Sequence, residues 1–508
     1  ACINFMNLTT AKASQRSGEV GIRKSMGANR SALIRQFIGE SMVIVFFAML
    51  IAALIMKLSL PHINDITGKT LDIDSKNILL VVGSMAGIGL LTGLIAGSYP
   101  AFFLSSFEPA KVLKSKALSS DGYPLLRRAL VVFQFIIAIT LISSIIIIRQ
   151  QLDFIQNKPL GFKQEHIIII PLRNQDATDQ FLNLRNAYKS IGGVNEVSAC
   201  TSLPSTPLLR DFALYPQGST AEKGVLHRVV HTDEDYFKLL EIDLIAGRDF
   251  IAEKDTFNYS DTDNPIIVNE ACLKTFNIPL EEAIGFHLYA DWEGQTRQHE
   301  IIGVVEDFHQ FSLHQPIKPM LFAIPARRTA YNYMTASIDG QNYGETIAQM
   351  QAEWDKLVHT VPFESEFLND SVKKQYRADN NISLVLTWST ILAILICCFG
   401  LYGLSIYVAE RRIKEIGIRK VLGASVTNIV TMLSRDFILL VMIAFVIAVP
   451  LGYYAMDKWL QNFEYKIELG YGVFILAGAI SFLIAWLTVG FESTRAAMNN
   501  PVKSLRSE

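Results

Sequence analysis

Glu415-Ile-Gly-Ile-Arg-Lys-Val-Leu-Gly-Ala424 stands 396 residues after Glu19-Val-Gly-Ile-Arg-Lys-Ser-Met-Gly-Ala28, and seven of the ten positions are identical. The other three, Val20/Ile416, Ser25/Val421 and Met26/Leu422, are small or apolar exchanges. A repeat over such a distance marks two copies of one structural unit. In each copy Glu precedes Arg by four residues, the favourable order for an ion pair along a helix. Gly27 and Gly423 fit a helix C-terminus, where a left-handed backbone is cheap for glycine. Asn29 and Ser425 follow two residues later and suit the N-cap of another helix. The stretch predicts a short basic helix, a sharp turn and a second helix, twice over.

The second helix of each copy runs into apolar sequence through Phe37 and Phe437, with Glu40 and Asp436 at equivalent entry positions. Six long segments carry no charge: Ser41–Met56, Asn77–Phe107, Ala129–Ile148, Asn380–Ala409, Phe437–Met456 and Leu469–Phe491. About 20 apolar residues span a bilayer as a helix. Ser41–Met56 is a little short and is extended by Phe37–Glu40 and by Lys57, whose long side chain can reach back to the interface. With 508 residues, 50% hydrophobic and 19% charged, the chain has too many such runs for the core of a soluble protein. The net charge of −2 gives no reason to expect nucleic acid as a partner.

The positive charge is segregated. Segment 9–36 carries Lys12, Arg16, Arg23, Lys24, Arg30 and Arg35; segment 108–128 carries Lys111, Lys114, Lys116, Arg127 and Arg128. Segment 410–435 carries Arg411, Arg412, Lys414, Arg419, Lys420 and Arg435, and the tail Arg495, Lys503 and Arg506. Counting spans puts all four on one side, which the positive-inside bias makes cytoplasmic. The long section 150–379 then lies outside. The expected fold class is an α-helical integral membrane protein with six complete transmembrane helices, an N-terminal stub and a large extracytoplasmic α/β domain. Residues 1–8 read as the end of an earlier span. The repeat places a counterpart of 129–148 before residue 1, so the chain is expected to be the C-terminal portion of a longer protein.

The domain layout follows. Residues 1–116 hold part of a first unit, with a cytoplasmic element at 14–36 and spans near 38–57 and 78–104. Residues 117–149 are a linker and a span. Residues 380–508 are the second unit, with an element at 410–431 and spans near 382–408, 436–456 and 470–491. A second echo pairs Pro109-Ala-Lys-Val-Leu-Lys114 with Pro501-Val-Lys-Ser-Leu-Arg506. In the outer section, strands are expected at 166–172, 194–199, 265–269 and 300–305, helices at 178–191, 270–276 and 344–358, and a polar loop at 253–264.

Catalytic motifs are absent. There is no G-x-x-x-x-G-K-[ST] for nucleotide binding and no H-E-x-x-H, C-x-x-C pair or G-x-S-x-G. His309 and His314, near Glu306 and Asp307, read as surface or hinge histidines rather than metal ligands. No catalytic, cofactor or metal residue is assigned. Glu40 and Asp436 are expected to pair with basic neighbours. Cys200 and Cys272 pair only if the fold brings them together.

The two Glu-x-Gly-Ile-Arg-Lys-x-x-Gly-Ala elements, Gly97-Ser-Tyr-Pro-Ala101 and the tail Ala496–Arg506 make the chain resemble ABC-transporter permeases of the FtsX/MacB family, the macrolide-exporter and lipoprotein-release type, in the form with two permease units per chain. Gly247-Arg-Asp-Phe250, Pro265-Ile-Ile-Val-Asn-Glu270 and Ile302-Gly-Val-Val-Glu-Asp-Phe308 extend the resemblance into the outer section, as a MacB-like periplasmic core domain. One departure is Phe491-Glu-Ser where the first half has Tyr99-Pro100. The resemblance implies a permease in the bacterial inner membrane that contains no ATPase of its own. Two copies of a separate ABC ATPase would bind the short helices. ATP-driven movement would pass to the outer domain, for export or extraction of a peptide, drug or lipoprotein, or for mechanical signalling. Membrane lipid and an outer-membrane or periplasmic protein are further expected partners. The implied coupling residues are Glu19, Gly21, Arg23, Lys24, Gly27, Glu415, Gly417, Arg419, Lys420 and Gly423, with Arg23, Lys24, Arg419 and Lys420 facing the ATPase. The competing reading is a membrane-anchored sensor or scaffold with an outer ligand-binding domain and no ATPase. A secondary transporter would call for ionisable residues within the spans, and these spans are almost wholly apolar.

Overall fold

The computed structural model describes residues 4–6, 17–67, 71–72, 74, 77–105, 125–206, 211–258, 261, 263–292, 294–327 and 330–498. The echo at 109–114 and 501–506 lies outside them, as do Lys12 and Arg16. The described chain divides into two compact units, one helical and one α/β.

The helical unit comprises 1–151, 381–460 and 467–508. Its helices are α1 Ser17–Ser25, α2 Arg30–Thr67, α3 Ile78–Ser105, α4 Leu125–Asn157, α5 Arg377–Arg411, α6 Ile413–Val421, α7 Val426–Leu460 and α8 Tyr471–Met498. Six of them, all but α1 and α6, are long and apolar enough to cross a membrane. One apolar core joins Val131, Phe135 and Ile139 of α4, Leu401 and Leu404 of α5, Phe437, Val441 and Ala444 of α7, and Ala477 and Ala485 of α8.

The repeat extends from sequence into packing. Leu33, Ser41 and Val45 of α2 are buried, and so are Ile429, Phe437 and Val441 of α7, each 396 residues on. The third helix of each half carries a stripe with a step of four. In α3 it is Gly89, Gly93, Gly97, Ala101 and Ser105, all buried. In α8 the same positions, 392 residues on, are Ser481, Ala485, Val489, Ser493 and Ala497, again all buried. Small residues let helix backbones approach closely where lipid removes the hydrophobic drive between helices. The approach is tight in the first half. A Cβ on Gly97 would lie 2.8 Å from the Ser41 hydroxyl, and one on Gly93 would lie 2.5 Å from the Met42 sulfur.

The α/β unit comprises Leu152–Asn380 and Gln461–Lys466. Its strands are β1 Ile167–Pro171, β2 Val194–Cys200, β3 Asp211–Pro216, β4 Val225–His231, β5 Leu244–Gly247, β6 Thr256–Phe257, β7 Asp263–Asn269, β8 His287–Trp292, β9 Gln295–Val305, β10 Met320–Pro325, β11 Tyr333–Ile338 and β12 Glu366–Phe367. The first lobe is an antiparallel sheet in the order β12-β1-β11-β2. The helices Phe181–Lys189 and Tyr343–Leu357 cover it with Phe181, Leu184, Tyr188, Met350 and Trp354. The second lobe is inserted between β2 and β11. Its sheet runs β4-β3-β8-β9-β7-β10-β6 and closes on itself through a parallel β4–β10 pairing.

The expected strands are present as β1, β2, β7 and β9. Two expectations change. The helix expected over 178–191 is two helices, Gln175–Asp179 and Phe181–Lys189, because the Asn174 side chain accepts from the Ala177 amide at 3.0 Å and caps an earlier start. The loop expected at 253–264 holds the short strand β6 and the first residues of β7. Cys200 and Cys272 are both free thiols, in β2 and in the helix Glu270–Phe276.

The family-like segments of the outer section have concrete jobs. Asn269 at the end of β7 accepts from the Cys272 amide at 3.2 Å and the Met320 amide at 2.8 Å, fixing a helix start and β10 together. Asp307 accepts from the Ala271 amide at 2.8 Å and from the Lys274 ammonium at 3.0 Å. The pair thus caps Glu270–Phe276 at its positive end.

Of the two histidines expected at a surface or hinge, His309 is buried, whereas His314 keeps 29% of its side chain exposed. His309 is buried against the Tyr465 ring (centroids 4.8 Å apart), and His314 stacks on Phe463 at 4.2 Å with Asp379 3.6 Å away. Tyr465 and Phe463 belong to the α7–α8 connection, which is therefore part of this unit. His227 and His299 are fully buried, stacked on Phe276 and Phe257. Burial pushes His227, His299 and His309 down to about 4. Asp233 goes the other way, raised by burial to about 7.

These shifts set a pH dependence. A histidine lowered in the fold is protonated first in the unfolded chain, so stability falls as pH drops from 6.5 towards 4. Asp233 gains stability over much of the same range and offsets about one histidine. The net expectation is a loss of about 3 kcal/mol between pH 7 and pH 5. Urea-dependent amide exchange of peptides from 211–325, in the full chain in detergent, reads it out. A midpoint that does not move, or rises, at pH 5 contradicts the assignment.

Candidate functional site

The repeated element forms the same structure in both halves. Helix α1 ends at Ser25 and α6 at Val421, each with Arg and Lys in its last turn. Gly27 and Gly423 have φ of +91° and +92°. The Gly27 amide donates to the Lys24 carbonyl and the Ala28 amide to the Arg23 carbonyl, both at 3.0 Å; the Gly423 and Ala424 amides donate to the Lys420 and Arg419 carbonyls at 3.1 and 2.9 Å. This double closure is the Schellman motif, and it requires the left-handed glycine. The next helix starts at once: the Ser425 hydroxyl accepts from the Asn428 amide at 3.2 Å, and the Asn29 carbonyl accepts from the Ala32 and Leu33 amides.

The sequence-predicted site residues separate by direction. Val20 and Ile416 are buried, as is Gly417, and anchor the inner face of each short helix. Arg23 and Arg419 are exposed. Arg419 pairs with Glu415 at 2.9 Å, as the four-residue spacing predicts. Arg23 donates to the Gln36 side chain at 2.8 Å, and Gln36 donates to Glu40 at 3.2 Å. The side chain of Glu19 lies outside the described residues. Lys24 and Lys420 turn inward. Lys24 donates to the Ser105 carbonyl at 2.6 Å, and Lys420 to the Ala497 carbonyl at 2.5 Å. Asp436 pairs with Arg412 at 3.3 Å, the basic partner expected of it.

Sequence reasoning missed the apolar part of the exposed face. Ile22 and Ile418 are 53% and 52% exposed, and Met26 and Leu422 are 82% and 80% exposed. The members of each pair are 396 residues apart. The signal was present in the repeat itself, since 26/422 stays apolar while changing identity. On a nine-residue helix already anchored by Val20 or Ile416, a second apolar strip flanking an arginine suits a protein surface, where apolar anchors and Arg supply much of the binding energy.

Two further features complete the inventory. Asp263, His287 and Glu300, on β7, β8 and β9, bring ligand atoms within 4.8 Å of one another, with Asp263 exposed. Where the first half has Tyr99-Pro100, the second has Phe491-Glu492, and Glu492 is buried.

A family model described as FtsX-like permease, C-terminal, matches residues 1–106 and 388–501. The macrolide export ATP-binding/permease protein MacB of Bdellovibrio bacteriovorus is 33% identical over 113 residues, covering 22% of this chain and 17% of that protein. The protein of the same name from Neisseria gonorrhoeae is 28% identical over 120 residues, covering 23% and 17%. The match thus spans less than a fifth of the length of these relatives. Among solved structures, the periplasmic region of MacB from Actinobacillus actinomycetemcomitans aligns with a TM-score of 0.30 and 14% identity over 42% of this chain and 93% of that one. The extracellular domain of the ABC-type transporter YknZ from Gram-positive bacteria aligns with 0.26 and 12% over 37% and 93%. The two segments that match the family model are the two that carry the helix–glycine turn–helix element, and over these segments the chain is similar to FtsX-like permeases.

Proposed function

We propose that the chain is the permease subunit of an ABC transporter, and that α1 and α6 are its two docking points for a separate ATPase. The observation that carries this reading is the pair of equivalent outward faces, Ile22-Arg23-Met26 and Ile418-Arg419-Leu422, presented by identical turns. Relatives named as ATP-binding/permease proteins support an ATP-driven partner, and this sequence has no phosphate-binding loop. Two docking faces in one chain call for two ATPase copies. With the basic segments cytoplasmic, the chain sits in the inner membrane and the α/β unit outside it. Closure of the ATPase pair would draw α1 and α6 together and shift the outer unit, which would act on a peptide, drug or lipoprotein there.

Affinity purification of the protein from its native membranes tests this. A P-loop ATPase at two copies per chain is expected. Recovery without any ATPase, under mild detergent and with cross-linking, would move the reading to a membrane-anchored sensor or scaffold.

A further inference from the structure

We propose that Lys24 and Lys420 are positioning residues that fasten each short helix to the C-terminal end of the third helix of its own half. In this placement they do not face the ATPase, contrary to what the family resemblance implies. The functional part of this inference rests on the docking role proposed above; the structural part does not.

Three observations carry it. The first is that the bond occurs twice. Lys24 reaches the last residue of α3, Ser105, and Lys420 reaches Ala497, next to the last residue of α8. The donors are 396 residues apart and the acceptors 392, the same offset that relates the two small-residue stripes. The second is electrostatic. Each lysine sits in the last turn of its own short helix and reaches the last turn of another. Two negative helix ends therefore converge on one ammonium, the favourable placement for a cation. The third is that the acceptors, Ser105 and Ala497, are the final members of the two buried stripes and have 0% exposure. The bond thus lies at the foot of the close-packed stripe.

The consequence is mechanical. Each short helix is joined to the next helix through a glycine with positive φ. The lysine adds a connection to the third helix. Short helix, turn and both following spans then move as one body, and a displacement of α1 or α6 reaches α3 or α8 directly.

The test compares Lys24→Met/Lys420→Met with Lys24→Arg/Lys420→Arg in the full-length protein in detergent. Amide exchange of 17–28 and 413–424 needs no ATPase. It is expected to speed up about 5-fold in the Met variant and to be largely restored in the Arg variant. Unchanged exchange in the Met variant overturns the proposal whatever the partner. Where an ATPase copurifies, its association is expected to persist in the Met variant, while its stimulation by the permease falls about 10-fold. A thiol cross-linker spanning Lys420→Cys and Ala497→Cys, in a background lacking the native cysteines, is expected to restore stimulation relative to the unbridged pair. Full stimulation without the lysines, or no recovery on bridging, overturns the coupling role. Failure of wild-type protein to bring down any ATPase removes the docking reading and leaves the exchange result standing.

Discussion

A protein carrying Ile22→Asp, Arg23→Glu, Ile418→Asp and Arg419→Glu is expected to insert and fold normally yet lose ATPase association. All four side chains point outward, so no core is disturbed. The ion pair Arg419–Glu415 and the Arg23–Gln36 hydrogen bond are solvent-exposed, and such surface pairs contribute about 1 kcal/mol at most. Binding should suffer far more. An apolar anchor beside an arginine is the composition of an interface hot spot, where loss of one such residue costs about 2 kcal/mol, roughly 30-fold in affinity. Reversing the charge adds repulsion to that loss. Changing only 22 and 23, or only 418 and 419, gives a sharper result: the remaining half should still bind, so recovery should fall from two ATPase copies per chain to one. The measurement is the copy number recovered and the dissociation constant by titration. Normal association of the fourfold variant would sink the assignment of these faces.

Gly247→Ala is expected to destabilise the α/β unit by about 3 kcal/mol or more. Gly247 pairs with Gly303 across β5 and β9, just beyond a register shift. Its φ is +76°, and a Cβ there would lie 2.3 Å from the Ile302 carbonyl oxygen and 2.6 Å from the Ile284 side chain. The Ile284 methyl can move aside, but the Ile302 carbonyl is main chain within strand β9 and cannot. The reverse approach is equally close, since a Cβ on Gly303 would lie 2.5 Å from the Arg248 carbonyl. The two glycines let the backbones touch, and that contact aims the next residue. Arg248 forms two bonds to Asp255, at 2.5 and 2.9 Å, and Asp255 also accepts from the Ile251 amide at 2.8 Å. Burial works to raise the Asp255 carboxyl, but Arg248 and that amide hold it below its ordinary value. A urea midpoint from amide exchange of 244–305 reads the loss. A midpoint equal to wild type would mean that the glycine contact is dispensable.

Much of the helical unit could be read from residue order because its signals are local. A charge-free run long enough to cross a bilayer needs no distant partner to be recognised. Gly27 and Gly423 declare their turn through backbone sterics alone. The α/β unit resisted where its structure depends on remote pairing. Strand β10 is buried at all six positions, so it shows no alternation, and its partners lie in β4, β6 and β7. Strand β4 carries His227 and His231 on a buried face, which reads as polar and exposed. The placement of Gln461–Lys466 in the α/β unit had no sequence signal, since six residues between two spans do not reveal what they touch. At the short helices, residue type identified the right segment but not the direction of each side chain. Arg and Lys stand side by side there, and only the helix geometry sends one outward and the other to a neighbouring helix end.

Helices α2 and α7 have 38 and 35 residues. At 1.5 Å per residue they are about 57 and 52 Å long, against a hydrocarbon thickness of about 30 Å. They exceed it by about 27 and 22 Å, roughly five and four turns shared between their two ends. Such a helix is a strut rather than a plug. Both helices continue through an internal proline, Pro61 and Pro450, so a displacement at the glycine end is carried along each of them to its far end.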